Sequence, residues 1–203
     1  MLDGHLRRVI DPVLDRLSGV LAASGASPIA VTTAGLALGL AAAVAIASGA
    51  MLTGLVLILV SRLADGLDGQ LARRTGRTSD LGGYLDIVFD YIFYGAIPLA
   101  FALANPAANA LAAAVLLTAF YANCASFLAY AAIAEKRRMS GAARGPKSFY
   151  FTTGLAEASE TLIAFALFCL FPASFALIAY VFAALCAWTA GARIVDASRR
   201  FTA

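Results

Sequence analysis

Asp65, Asp68, Asp86 and Asp90 lie in the stretch SRLADGLDGQLARRTGRTSDLGGYLDIVFDYIFYG of a chain that is otherwise strongly apolar. A carboxylate at hydrocarbon depth costs kilocalories unless it is paired, hydrated or bound to a cation, so four together indicate a site. Asp65 and Asp68 stand i, i+3, and Asp86 and Asp90 stand i, i+4. On helices of about 3.6 residues per turn each pair shares a face. Two such faces make an oxygen-lined cage. Left alone, the carboxylates would repel one another and take up protons. Divalent cations would hold them ionised, and hard cations such as Mg²⁺ or Mn²⁺ choose oxygen ligands.

The elements that carry these residues read as membrane helices. Hydrophobic residues make up 62%, charged residues 13%, and mean hydropathy is +0.84, outside the range of ordinary soluble domains. The 203 residues have room for six spans of roughly 20 residues with short loops, and for no soluble domain besides. The spacing places spans at about 28–49, 51–75, 80–104, 107–134, 150–171 and 174–196. Ser27-Pro28 serves as N-cap and first helical residue of the first span, whose Ala- and Gly-rich face suits close helix contact. Ahead of it, residues 2–23 gather Leu6, Val9, Ile10, Val13, Leu14, Leu17, Val20 and Leu21 on one side. The predicted element is an amphipathic helix on the membrane surface, interrupted or restarted near Pro12. A charged amphipathic stretch of this length before the first apolar run also argues against a cleavable signal peptide. The expected organisation is therefore an all-α protein, with an amphipathic juxtamembrane helix over 1–25 and a six-helix transmembrane domain over 26–203.

Six spans put Gly49-Ala50, Ala104 to Ala107 and Pro172 to Ser174 on one side, with no charged residue among them. The other side receives Arg7, Arg8 and Arg16, then Arg73, Arg74 and Arg77, then Lys136, Arg137, Arg138, Arg144 and Lys147, and finally Arg193, Arg199 and Arg200. By the positive-inside rule that side is cytoplasmic, and with it the aspartate site and both termini. Cys124, Cys169 and Cys186 all lie in apolar runs and read as packing residues, not as a disulfide framework or thiolate metal site. His5 reads as interfacial, and Phe149, Tyr150 and Phe151 as an interface anchor.

Eight positions carry a specific resemblance. The pattern Asp65-x2-Asp68-Gly69-x2-Ala72-Arg73-x8-Gly82-x3-Asp86-x3-Asp90 is similar, without a departure, to the signature of the CDP-alcohol phosphotransferase family of integral membrane lipid-synthesis enzymes. The resemblance implies a bacterial inner-membrane enzyme, homodimeric as in similar proteins, that moves the phosphatidyl group of CDP-diacylglycerol to a hydroxyl acceptor and releases CMP. It also allows the reverse arrangement, in which a soluble CDP-alcohol donates its headgroup to diacylglycerol. It implies two divalent cations, Mg²⁺ or Mn²⁺, held by Asp65, Asp68, Asp86 and Asp90, with Asp65 and Asp86 touching both. Asp90 is implied as the general base toward the acceptor hydroxyl. A carboxylate bound to a cation is a weak base, which leaves positioning of the acceptor as a second role. Gly69 and Arg73 match nucleotide and diphosphate contacts, and Ser79 fits a small hydroxyl position toward the nucleotide. Pro28, Ile29, Ala30 and Val31 match a segment lining the cytidine pocket, although many relatives have Asn after the proline.

Paired metals roughly 3.5 to 4 Å apart suit such a displacement, because both the attacking and the leaving oxygen carry charge. Gly66, Gly69, Gly82 and Gly83 clear side chains from the carboxylates; for Gly66 and Gly83, tight helix packing is an equal reading. Arg73 can clamp a phosphate through two donors.

On the acceptor side, Arg144, Lys147 and Arg193 suggest a pocket for a polyol phosphate, glycerol 3-phosphate first and an inositol phosphate behind it. The Lys136-Arg137-Arg138 run reads more simply as attraction to anionic lipid headgroups. Glu157 and Glu160, i, i+3 near the start of the fifth span, would accept hydrogen bonds from acceptor hydroxyls or an amine, or pair with Arg62 or Lys147. Arg62, one turn before Asp65, has a structural reading as counter-ion for a carboxylate. No nucleic-acid partner is expected. A cation transporter would also bury acids, but near the midplane and often within internally repeated broken helices, and a non-catalytic scaffold would not need the aspartate set.

Overall fold

The computed structural model describes residues 3–137 and 158–202. Among these the chain is all-helical: α1 (Asp3–Ala23), α2 (Pro28–Ala47), α3 (Met51–Thr75), α4 (Asp80–Ala104), α5 (Pro106–Lys136), α6 (Ala158–Leu170) and α7 (Phe175–Phe201), with a single 3₁₀ turn at Pro172–Ser174. α2, α4, α5 and the stretch Pro172–Phe201 are long and apolar enough to cross a membrane. α3 matches α4 in length, but its C-terminal half carries Arg62, Asp65, Asp68, Arg73 and Arg74. The described part of the fifth expected span, α6, has 13 residues. Among the described residues, four stretches are thus clear spans, where the hydropathy pattern suggested six across the whole chain. The apolar exterior fits a lipid solvent: Val44, Leu111, Tyr121 and Trp188 are each about 70% exposed or more in the isolated chain.

α1 runs through Pro12 without a break, contrary to the interruption expected there. A proline removes one N–H and displaces one carbonyl, and Pro12 lies on the exposed side of the helix, where solvent or headgroups can satisfy the freed group. At the start of α2, Ser27 is extended and Pro28 takes the first turn as expected, but the Ser27 side chain makes no capping bond.

α2 is the spacer of the bundle. Its buried residues Thr32, Gly35, Gly39, Ala42 and Ile46 alternate three and four apart, and this narrow stripe of mostly small residues packs against both α3 and α4. A Cβ on Gly35 would stand 3.4 Å from Ala64 Cβ of α3; one on Gly39 would stand 2.6 Å from Phe93 Cδ2 of α4. Ser61 Oγ of α3 donates to Gly35 O at 2.7 Å. The α2–α3 turn is made by Gly49 at φ 87°, a conformation that favours glycine.

The apolar core lies on the other half of the span. Phe93, Phe101, Phe165, Phe168 and Phe175 are fully buried, with Phe101 and Phe175 stacked at 4.7 Å. Cys169 and Cys186 are buried in this core. α5 and α7 pack along each other and close at their C-terminal ends, where Tyr130 Oη donates to Asp196 Oδ2 at 2.8 Å and Arg200 Nε to Asp196 Oδ1 at 2.9 Å.

Candidate active site

The two carboxylate pairs are brought together by one tight turn. α3 ends at Gly76, which adopts φ 66° so that Arg77 N can reach back to Ala72 O at 2.9 Å. Three residues later Ser79 caps α4, its Oγ accepting from Gly82 N at 3.1 Å. The C-terminal half of α3 and the N-terminal half of α4 consequently face the same end of the bundle, against the N-terminus of α2. α1 closes the outer side: Arg74 Nη1 donates to Asp15 Oδ1 at 2.9 Å, and Leu14 fills the space beside Gly66.

Asp65, Asp68 and Asp86 converge, offering oxygens that all lie within 4.8 Å of one another. Asp68 is 6% exposed, and its Oδ2 is buried without a hydrogen-bond partner. A buried carboxylate oxygen with no donor, beside two further carboxylates, is poorly satisfied by protein alone and well matched to a hard divalent cation. The residues present therefore fit a metal.

Asp90, the fourth aspartate, is not in that group. Its Oδ1 accepts from Arg62 Nη1 at 2.5 Å, across from α3 to α4. The same Nη1 stands 3.6 Å from Asp65 Oδ2. The guanidinium lies over the Phe93 ring at 4.1 Å and within 5.9 Å of Tyr94, and only 15% of the Arg62 side chain is exposed. Arg62 is thus a carboxylate counter-ion, and among the described residues its ion pairs are with Asp65 and Asp90, not with Glu160. Asp90 meets Arg62 from α4, whereas Glu160 sits in the first turn of α6 with a buried Oε2 that has no hydrogen-bond partner.

A cavity of about 220 Å³ opens directly on Asp68 and Asp86. Its walls hold Gly69, Arg73 and Ser79, three residues singled out for nucleotide and diphosphate contacts. Pro28 and Ile29 line it, but Ala30 and Val31 do not; the helical repeat instead brings in Thr32. Arg77 and Thr78, in the turn, were not anticipated, although their place between the two aspartate pairs signals them. Gly82 and Gly83 also line the cavity. A Cβ on Gly83 would meet nothing within 4 Å, so this glycine keeps space open, whereas Gly66 serves the contact with α1.

Of the suggested acceptor residues, Arg193 and Glu160 do not line this cavity. Arg193 Nη1 donates to Asn123 O and Asn123 Oδ1 at 3.0 Å each and to Ser126 Oγ at 2.6 Å, binding α7 to α5. Arg144, Lys147 and Glu157, like the Phe149 to Phe151 cluster, fall outside the described residues.

Comparison with known proteins agrees with this geometry. The profile of the family described as CDP-alcohol phosphatidyltransferase matches residues 25–191. The chain is 47% identical over 194 residues to the inner membrane protein YnjF of Escherichia coli (strain K12), covering 96% of this chain and 94% of that one. It is 38% identical over 92 residues to the archaetidylinositol phosphate synthase of Methanothermobacter thermautotrophicus, covering 45% and 44% of the two chains. Among solved structures it is similar to the phosphatidylinositol phosphate synthase PgsA1 of Mycobacterium tuberculosis with CDP-DAG bound, with a TM-score of 0.68, 20% identity and coverage of 91% and 92%. A structure of that enzyme in complex with manganese and citrate gives the same TM-score of 0.68. With its helical architecture, its carboxylate cluster and a profile match over most of its length, the chain belongs to the CDP-alcohol phosphatidyltransferase family.

Proposed function

We propose that this protein transfers the phosphatidyl group of CDP-diacylglycerol to the hydroxyl of a polyol phosphate, releasing CMP. The observation that carries the reading is the opening of the Asp68 and Asp86 carboxylates into a cavity that also presents Arg73 and Arg77. Such a junction of anionic cage and cationic wall suits a diphosphate, whose oxygens need both.

Each residue has a distinct task in this reading. Arg73 and Arg77 hold the diphosphate, Gly69, Gly82 and Gly83 let it approach the helix backbone, and Pro28, Ile29, Thr32, Thr78 and Ser79 border the nucleoside. Asp65, Asp68 and Asp86 would hold the divalent cations, Mg²⁺ or Mn²⁺, with Asp90 joining for a second. Bound there, the cations would neutralise the diphosphate and stabilise the departing phosphate of CMP. The acceptor oxygen forms its bond to the β-phosphorus as the bond to the CMP oxygen breaks, and the hydroxyl proton passes to a carboxylate. Asp90 suits that role through Oδ2, since Oδ1 is taken by Arg62.

The names of the inositol phosphate synthases among the relatives favour an inositol phosphate over glycerol 3-phosphate as acceptor, reversing the order suggested by the basic residues alone. Arg144 and Lys147 remain the proposed contacts for its phosphate, and Glu157 and Glu160 for its hydroxyls, whereas the Nη1 of Arg193 is engaged by α5. We place the site and both termini on the cytoplasmic side of a bacterial inner membrane, with α3 and α6 completing six spans, and the protein in a homodimer. The deciding experiment supplies purified protein with CDP-diacylglycerol or with a soluble CDP-alcohol plus diacylglycerol, and a panel of inositol phosphate, glycerol 3-phosphate, inositol and serine. CMP release should require Mg²⁺ or Mn²⁺ and the lipid donor. Full activity in Asp86→Ala, or release only from the soluble donor, would overturn the proposal.

A further inference from the structure

Arg62 does more than neutralise a stray acid. Its guanidinium is fixed from three sides: Nη1 bonds Asp90, Nη2 lies 3.4 Å from Ser61 Oγ, and Cζ rests on the buried Phe93 ring. Ser61 is itself anchored to α2 through Gly35 O. Arg62 therefore bolts α3 to α4 and is backed by α2, so the position of its charge is set by the fold. That charge stands 3.6 Å from Asp65 Oδ2 and is bonded to Asp90, which is not among the three converging carboxylates.

The charge balance has a consequence for cation binding. With Arg62 in place the four carboxylates carry three net negative charges. A first divalent cation on Asp65, Asp68 and Asp86 leaves one. A second would drive the set positive while having to displace a guanidinium from Asp90 and share Asp65 with it. Like charges within about 4 to 5 Å repel by several kilocalories per mole at the effective dielectric of a protein surface, enough to separate the two binding steps.

We propose that Arg62 acts as a fixed internal cation that reserves Asp90, so that the cage takes one divalent cation tightly on Asp65, Asp68 and Asp86 and a second only weakly in the absence of substrate. This rests on the cage being a divalent-cation site. Arg62 is then a positioning residue: it sets how many ions the resting site holds, and with them where Asp90 points.

Manganese titration of the purified full-length protein, with free Mn²⁺ followed by its electron paramagnetic resonance signal, counts the ions without reference to activity. Wild type should bind one ion in a tight phase. Arg62→Gln, in which two divalent cations balance four carboxylates, should bind two, with the second tightened at least about tenfold. Arg62→Lys keeps the charge and should return to one. Asp68→Asn should lose the tight ion. Two equivalent ions in wild type, or an Arg62→Gln titration that matches wild type, would overturn the proposal while leaving the cation site intact, provided Asp68→Asn still loses binding. Absence of binding in wild type and Asp68→Asn alike would overturn both. If Arg62→Gln does not fold, the wild-type count and the Arg62→Lys count decide alone.

Discussion

Asp68→Asn should make the protein more stable without metal and less responsive to it. The substitution keeps the shape of the side chain and removes one charge from a position that is 6% exposed. Asp68 has two carboxylate neighbours, with oxygens within 4.8 Å. At an effective dielectric of about 20, unit charges about 5 Å apart repel by about 3 kcal/mol, so two such neighbours set an upper limit of about 6 kcal/mol. Asp86 is partly exposed to solvent and Asp65 has Arg62 beside it, which reduces the relief to about 2 kcal/mol. For a chain of this length that corresponds to a rise of about 4 to 8 °C in Tm in the presence of a chelator. Saturating Mn²⁺ reverses the order, because a cation present at about 100 times its Kd stabilises wild type by about 2.7 kcal/mol and the variant by much less. Thermal unfolding in chelator and in Mn²⁺, on both proteins in the same detergent, measures all four values. A lower Tm for Asp68→Asn in chelator, together with an undiminished Mn²⁺ shift, would refute the reasoning that this oxygen awaits a cation.

Four further outcomes follow from the packing, the cavity and the proposed orientation. Gly39→Ala drives a methyl against Phe93 and should cost about 1–3 kcal/mol in thermal unfolding, whereas Gly83→Ala should leave Tm unchanged and raise KM for the CDP-linked donor, because its added methyl enters only the cavity. Arg73→Lys keeps a charge but loses the two-pronged donor, so kcat/KM should fall about 10- to 100-fold with Mn²⁺ affinity unchanged in the same titration. Ser174→Cys, in the turn before α7, should resist a membrane-impermeant thiol reagent applied from the cytoplasmic side of vesicles; rapid labelling there would invert the proposed orientation.

The helices were legible because hydropathy and punctuation agree. Ser79 before an apolar run, Gly76 after a basic turn and Asn105-Pro106 between two spans each mark an end found in the structure, and α3 and α4 occupy the ranges read from the sequence. Three of the aspartates were legible for a similar reason: spacing fixes a helical face, and two faces joined by a short turn must meet. What spacing cannot supply is which partner across helices wins. Arg62 stands i, i+3 from Asp65, a pairing visible in the sequence, yet its shortest bond is to Asp90, 28 positions away. Arg193 looked available to a substrate because it is a lone cation at the end of an apolar helix. Asn123 and Ser126, one turn apart in an equally apolar stretch, were the sign that its Nη1 would be engaged. The segment Pro28 to Val31 was read as a continuous lining, whereas a helix turns Ala30 and Val31 away and brings Thr32 round.

The stripe of small residues on α2 has a consequence for ion size. α2 contributes no carboxylate, yet it lies against both helices that do, so its thickness gauges the gap between them. Mg²⁺ demands oxygen at about 2.0–2.1 Å, while Ca²⁺ accepts about 2.3–2.6 Å with more ligands. A difference of a few tenths of an ångström in helix separation is the scale on which that discrimination turns, and it is the scale of the contact a single methyl at Gly35 would make with Ala64. A divalent cation held between α3 and α4, as proposed, would meet a gap set by α2 as well as by the carboxylates.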